Sequence, residues 1–246
     1  MNRSLEDMED TIVHTPVISF EAWRHVFKLD PDKDISDDDL DLICLSGTDA
    51  IAVGGSSGVT FENTVELMSR IRRYELPVAL EVSNLDSVVP GFDAYLIPMV
   101  LNTSNPDWMI GQHQRAIQQY GDMIPWELLI PEGYLILNPK ATAAKLTEAE
   151  TGLTAAEARA YAQVADKLMR LPIVYVEYSG TYGDMELVHH VRKGLGCAQL
   201  FYGGGIRTEG QAREAAEAAD TVVVGNIVYD DVEAALRTVE AVRLVL

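Results

Sequence analysis

The stretch from Ile173 to Val228 holds three short apolar runs, Ile173–Gly180 (IVYVEYSG), Ala198–Gly205 (AQLFYGGG) and Thr221–Val228 (TVVVGNIV). Each is rich in β-branched or aromatic residues and too short for a helix, which is the pattern of strands buried on both faces. Amphipathic segments follow them: Asp184–Leu195, Thr208–Ala218 and Asp231–Leu246. The last opens on two aspartates, suited to a helix N-terminus, and turns Val232, Ala235, Leu236 and Val239 inward. Run, helix, run, helix is the signature of parallel βα units.

The same alternation extends toward the N-terminus. Five earlier runs read as strands: His25–Asp30 (HVFKLD), Ala50–Gly55 (AIAVGG), Pro77–Val82 (PVALEV), Ala94–Leu101 (AYLIPMVL) and Tyr134–Pro139 (YLILNP). Between them, Thr60–Tyr74 places Val65, Met68 and Ile71 on one stripe. Leu153–Met169 begins with a Thr154/Glu157 capping box. Eight in-line units argue for a single closed (β/α)8 TIM barrel over residues 20–246, with residues 1–19 as an N-terminal extension, poorly ordered or packed on the barrel. An open doubly wound sheet is disfavoured, because no GxGxxG turn follows the first strand. One unit is defective. Residues 83–93 contain Pro90 and Gly91 and are too few for a crossover helix, so the barrel is a modified one lacking the helix between strands 3 and 4. The segment from Leu101 to Tyr134 is long, with one helix near Pro106–Tyr120 and an irregular stretch at Ile124–Pro131.

Nineteen basic residues, six of them lysine, face 38 acidic ones in the 246-residue chain, a net charge of −19. Such a chain repels phosphate backbones, which excludes nucleic-acid partners. Distributed acidity with scarce lysine suits very concentrated salt, so a halophilic source is expected. No apolar run reaches the length of a membrane span, and the acidic start MNRSLEDMEDT has no h-region, so a cytoplasmic protein is expected. Cys44 and Cys197 stand at no metal-ligand spacing and read as reduced thiols.

In a TIM barrel the chemistry sits at the carboxyl ends of the strands. Those ends supply Lys28 and Asp30, then Gly54 to Gly58 with Ser56 and Ser57, then Glu81 and Ser83. Asn102, Thr103 and Asn138 come next, then Tyr175 to Gly180, Gly203 to Gly205, and Gly225 with Asn226. Glycine-rich turns after the last two strands form a phosphate cradle, since backbone amides there can approach an anion closely. Glu177 is a carboxylate in an otherwise apolar strand, where an unpaired charge is costly.

HVFKLDPDK, GTDAIAVGGSSGVT, ALEVSNLDSVVPGFDAYLIPMVLNTSNPDW, EGYLILNP, IVYVEYSGTYGD, LFYGGGIR and VVVGNIVYDD closely resemble the geranylgeranylglyceryl and heptaprenylglyceryl phosphate synthases. The resemblance runs from about Phe20 to the C-terminus. It implies a prenyltransferase on a TIM barrel that lacks one helix, joining a long prenyl diphosphate to the C3 hydroxyl of sn-glycerol 1-phosphate with Mg2+. By resemblance, Lys28, Tyr175, Val176, Glu177, Tyr178, Ser179, Gly180, Gly205, Gly225 and Asn226 hold glycerol phosphate. Asp30 and Ser56 hold the metal, and Glu177 is placed to take the C3 proton. Family precedent further implies a homodimer whose product goes to the membrane. Archaeal members use a C20 donor and bacterial ones C35; the acidic composition points here to geranylgeranyl diphosphate, with the heptaprenyl donor as the alternative. A phosphate-binding isomerase on a small sugar phosphate is the other reading, but it would have no use for an apolar groove beside the strand 3–4 gap. His189 and His190, Trp108, Met109 and His113, and the Asp37–Asp39 run read respectively as a surface pair, core packing and a solvated helix start.

Overall fold

A computed structural model describes residues 18–245 of the chain. Eight parallel strands pair in chain order and close between the last and the first. They are β1 (His25–Leu29), β2 (Ala50–Val53), β3 (Val78–Glu81), β4 (Ala94–Val100), β5 (Leu129–Ile136), β6 (Ile173–Glu177), β7 (Gln199–Gly203) and β8 (Thr221–Val224). The helices outside are α1 (Asp37–Leu45), α2 (Phe61–Ile71), α3 (Gly111–Tyr120), α4 (Thr142–Thr147), α5 (Ala155–Gln163), α6 (Met185–Arg192), α7 (Glu209–Ala218), α8 (Ile227–Asp230) and α9 (Val232–Arg243). From β3 to β4 the chain makes only a 3-10 turn at Leu85–Ser87. The extension assigned to residues 1–19 falls, except for Ile18 and Ser19, outside the described residues.

Strand alternation divides the core into two compartments. Phe27, Leu29, Ile51, Val53, Leu80, Val174, Val176, Tyr202 and Val224 face outward and pack with the helices. Val26, Ala52, Ala79, Leu96, Tyr134, Ile136, Tyr175, Phe201 and Val223 fill the barrel bore. The inward set is small on β2 and β3 and aromatic on β5 to β7, so volume is supplied from one side of the bore.

The helices obey their caps. Ser36, Thr60, Thr154, Asp184, Thr208 and Asp231 each accept from a backbone N–H of the first turn. Thr60 with Asn63 and Thr154 with Glu157 complete capping boxes. The buried stripe of α2 is Thr64, Leu67 and Ile71, so Val65 and Met68 lie at its edge, partly buried. In α9, Ala235 and Val239 are buried, and Val232 and Leu236 are partly so.

The strands end one to four residues before the ends read from sequence, and two boundaries differ most. β5 begins at Leu129, five residues before Tyr134, and takes in Pro131 and Gly133, which read as breakers. A proline near a strand start removes only one ladder bond. Gly133 is there because Leu101, Ala165 and Leu171 pack within 3.0–3.1 Å of where its Cβ would stand. β8 ends at Val224 instead of Val228, because Gly225 and Asn226 turn the chain into α8.

Candidate active site

Inside the bore the apolar filling is interrupted by charge. Lys28 from β1, Glu81 from β3, Glu132 from β5 and Glu177 from β6 all point inward. Lys28 Nζ donates to Glu81 Oε1 at 2.6 Å. The Tyr134 hydroxyl lies 2.9 Å from Glu81 Oε2 and 3.3 Å from Glu177 Oε2. Glu177 Oε1 accepts from the Ser179 backbone N–H at 2.5 Å. The Tyr134 and Tyr175 rings stack at 4.5 Å beneath this row. Three carboxylates against one ammonium in a dry bore is a poor stability device, because desolvation rivals the Coulombic gain; such clusters mark function.

The electrostatics follow from the packing. Burial disfavours the Lys28 ammonium, but Glu81 and Glu177 outweigh it and hold its pKa above the ordinary lysine value. Burial raises the Glu177 pKa, opposed by Lys28 and the Ser179 hydrogen bonds and assisted by Glu81. Glu132 is fully buried and neither carboxylate oxygen has a hydrogen-bond partner. Burial, followed by repulsion from Glu81, lifts its pKa well above 4.5. The unfolded chain loses this proton near pH 4.5, whereas the folded bore retains it. Glu132 therefore costs stability increasingly as the pH climbs above that value. Glu132→Gln should raise Tm by several degrees at pH 8, about 2–4 °C per kcal/mol recovered, and by less at pH 5. Equal shifts at the two pH values in a thermal melt would contradict a retained proton.

At the mouth, Asp30 follows β1 beside the β2 loop, with Ser56 exposed on that loop. A Cβ on Gly55 would lie 2.3 Å from Asp30 Oδ1, so the loop backbone rests directly on the carboxylate. One carboxylate and one hydroxyl are hard oxygen donors of the kind that would hold Mg2+ together with substrate oxygens. Among the described residues no cluster of three or more His, Cys, Asp or Glu could hold a metal alone. Opposite, Gly203 to Gly205 are closed over by the β6 loop. Added Cβ atoms would meet Tyr175, Tyr178 and Thr181 at 2.0, 2.4 and 2.2 Å. Gly205 also has φ 53° and Gly180 φ 83°. Gly225 differs: its nearest neighbour would be Lys28 O at an ordinary 3.5 Å, so packing does not demand glycine there. Asn226 accepts from Lys33 at 2.8 Å.

Of the candidate residues, Lys28, Tyr175 and Glu177 share the bore, and Ser179, Gly180, Gly205, Gly225 and Asn226 ring its mouth with Asp30 and Ser56. Val176 and Tyr178 are different. Val176 packs outward against the helices and Tyr178 sits beside Tyr202, so only their backbones face the mouth region. Glu132 is absent from the sequence candidates because it precedes Tyr134, where the sequence reading begins the strand, and Tyr134 because it lies away from that strand's carboxyl end; alternation back from Ile136 turns both inward.

Residues 18–243 match the PcrB family. The chain belongs to that family. Curated PcrB relatives include heptaprenylglyceryl phosphate synthase of Brevibacillus brevis, 59% identical over 227 residues, covering 92% of this chain and 98% of the relative. The Bacillus cereus protein of the same name is 55% identical over 222 residues, covering 90% and 97%. Among solved structures, (S)-3-O-geranylgeranylglyceryl phosphate synthase of Thermoplasma acidophilum in complex with sn-glycerol-1-phosphate superposes with TM-score 0.80 at 26% identity, covering 90% and 94%. The PcrB relatives' names favour the heptaprenyl donor over the C20 donor suggested by the acidic composition. Net charge over the whole chain does not distinguish one prenyl chain length from another.

Proposed function

We propose that this chain transfers a C35 heptaprenyl group from its diphosphate to the C3 hydroxyl of sn-glycerol 1-phosphate. The observation that carries the reading is the buried Glu177 facing Lys28 beneath a glycine-edged mouth. Lys28 and the amides around Gly205, Gly225 and Asn226 bind the phosphate. Glu177, its own Oε1 braced by Ser179, accepts the C3 proton as the C–O bond forms and diphosphate departs. Asp30 and Ser56 would hold Mg2+, which offsets charge on the diphosphate. The names and coverage of the relatives support the heptaprenyl chain.

A chain of that length needs an apolar wall, at about 0.8 kcal/mol for each buried methylene. β4 offers one: Ile97, Pro98 and Met99 are half-buried beside the helix-free β3–β4 connection, and α3 above them has no fully buried side chain. Ala116 is half-buried on α3, a turn or two from Met109 and Tyr120. The test is turnover of sn-glycerol 1-phosphate with C15, C20 and C35 diphosphates. The C35 donor should give the highest kcat/KM, and Ala116→Trp should lose it while sparing C15 or C20. Preference for C20 in the unaltered protein would sink the donor assignment. Unchanged preference in folded Ala116→Trp would place the channel floor elsewhere. No helix among the described residues is long and apolar enough to cross a membrane.

A further inference from the structure

We propose that Glu81 is a positioning residue for the acceptor site, one carboxylate oxygen holding the Lys28 ammonium and the other holding the Tyr134 hydroxyl that reaches Glu177. This rests on the reading of Lys28 as phosphate binder and Glu177 as base.

The geometry leaves Glu81 little other purpose. Its side chain is 10% exposed, and its contacts are the 2.6 Å ion pair and the 2.9 Å hydrogen bond. Ala79, its inward neighbour on the same strand, shows that an apolar side chain suits this wall of the bore. A buried ion pair gives no net stability over such packing. The lysine stem is flexible, and a free ammonium in a low-dielectric bore moves to the nearest carboxylate. Without Glu81 that carboxylate is Glu177, which would then be quenched as a base. Glu81 therefore keeps cation and base apart, each aimed at a different end of glycerol phosphate. Tyr134 has one hydroxyl hydrogen for two carboxylates, and its shorter contact is with Glu81.

The charged and titratable groups facing Glu177 are Lys28 on β1, Glu81 on β3, Glu132 and Tyr134 on β5 and Tyr175 on its own strand, while Tyr202 on β7 lies on the outward face and is influenced by it only through charge. Glu81 pushes the Glu177 pKa up and Lys28 pushes it down. Glu81→Gln removes the first influence and frees the second. The acid limb of the kcat–pH profile should therefore move to lower pH. KM for sn-glycerol 1-phosphate should rise about tenfold or more, the scale of a lost charge-assisted contact, with KM for the prenyl diphosphate unchanged. Tyr134→Phe should lower kcat with little change in KM, because the Lys28–Glu81 pair stays intact. Glu177→Gln is run in parallel. If it retains the acid limb, the base assignment fails whatever Glu81→Gln does. If it abolishes the limb while folded Glu81→Gln leaves both limb and KM in place, the positioning role alone is overturned. Should Glu81→Gln not fold, an unchanged kcat in Tyr134→Phe overturns it.

Discussion

Glu177→Gln is expected to lower kcat by roughly 10²–10⁴, the usual scale for a general base, with a smaller change in KM. The amide keeps the shape and can still meet Ser179 and Tyr134, so the loss isolates charge and basicity from packing. The raised pKa of the native carboxyl suits the proposed role, since a base is most effective near the working pH. The reaction should slow as the pH falls through that raised value, because protonated Glu177 cannot accept the C3 proton. Steady-state kinetics across pH 5 to 9 on both proteins read this directly. A rise in KM alone would make Glu177 a hydroxyl-binding group and send the proton to the departing diphosphate.

Asp30→Asn should abolish most turnover at ordinary magnesium concentrations. Asp30 is the carboxylate that meets the β2 loop at Gly55, beside Ser56, whereas Asp32 meets it further on at Gly58; the exposed Ser56 hydroxyl brings no charge. The fold should survive. The end of β1 is also held through the backbone, where Asp30 N–H donates to the Tyr229 hydroxyl at 2.7 Å. An unchanged melt combined with lost turnover, partly recovered by raising Mg2+, is the expected result. Near-normal activity at low Mg2+ would refute the metal assignment.

The barrel was legible because its βα units repeat, and the helix starts because Thr60, Thr154, Thr208 and Asp231 are capping residues in the right places. The first half of β5 was hidden by Pro131 and Gly133, whose tolerance depends on where in the strand the proline falls and on how closely Leu101, Ala165 and Leu171 pack. Local sequence carries neither fact. At the site, Lys28, Asp30 and Glu177 stood out as charges ending apolar runs. The partnership of Lys28 with Glu81 joins residues 53 positions apart, and only barrel closure brings them together. The solitary burial of Glu132 is equally tertiary. Val176 could be assigned by motif, but its outward direction follows from strand alternation once the inward faces of Tyr175 and Glu177 are known.

The glycines at 203–205 admit no side chain without displacing Tyr175, Tyr178 or Thr181, while α3 has no fully buried side chain to disturb. The two ends of the proposed reaction are thus built to different tolerances. At the acceptor end almost any substitution collides with backbone or ring atoms, and variation there is removed with the fold. At the donor end a side chain on α3 can grow or shrink at little cost in stability. Chain length is then the property that divergence can retune cheaply, and recognition of glycerol phosphate the one that descent keeps. A library at exposed and half-buried α3 positions should accordingly yield folded proteins with shifted donor length far more often than one at the 203–205 turn yields folded proteins at all.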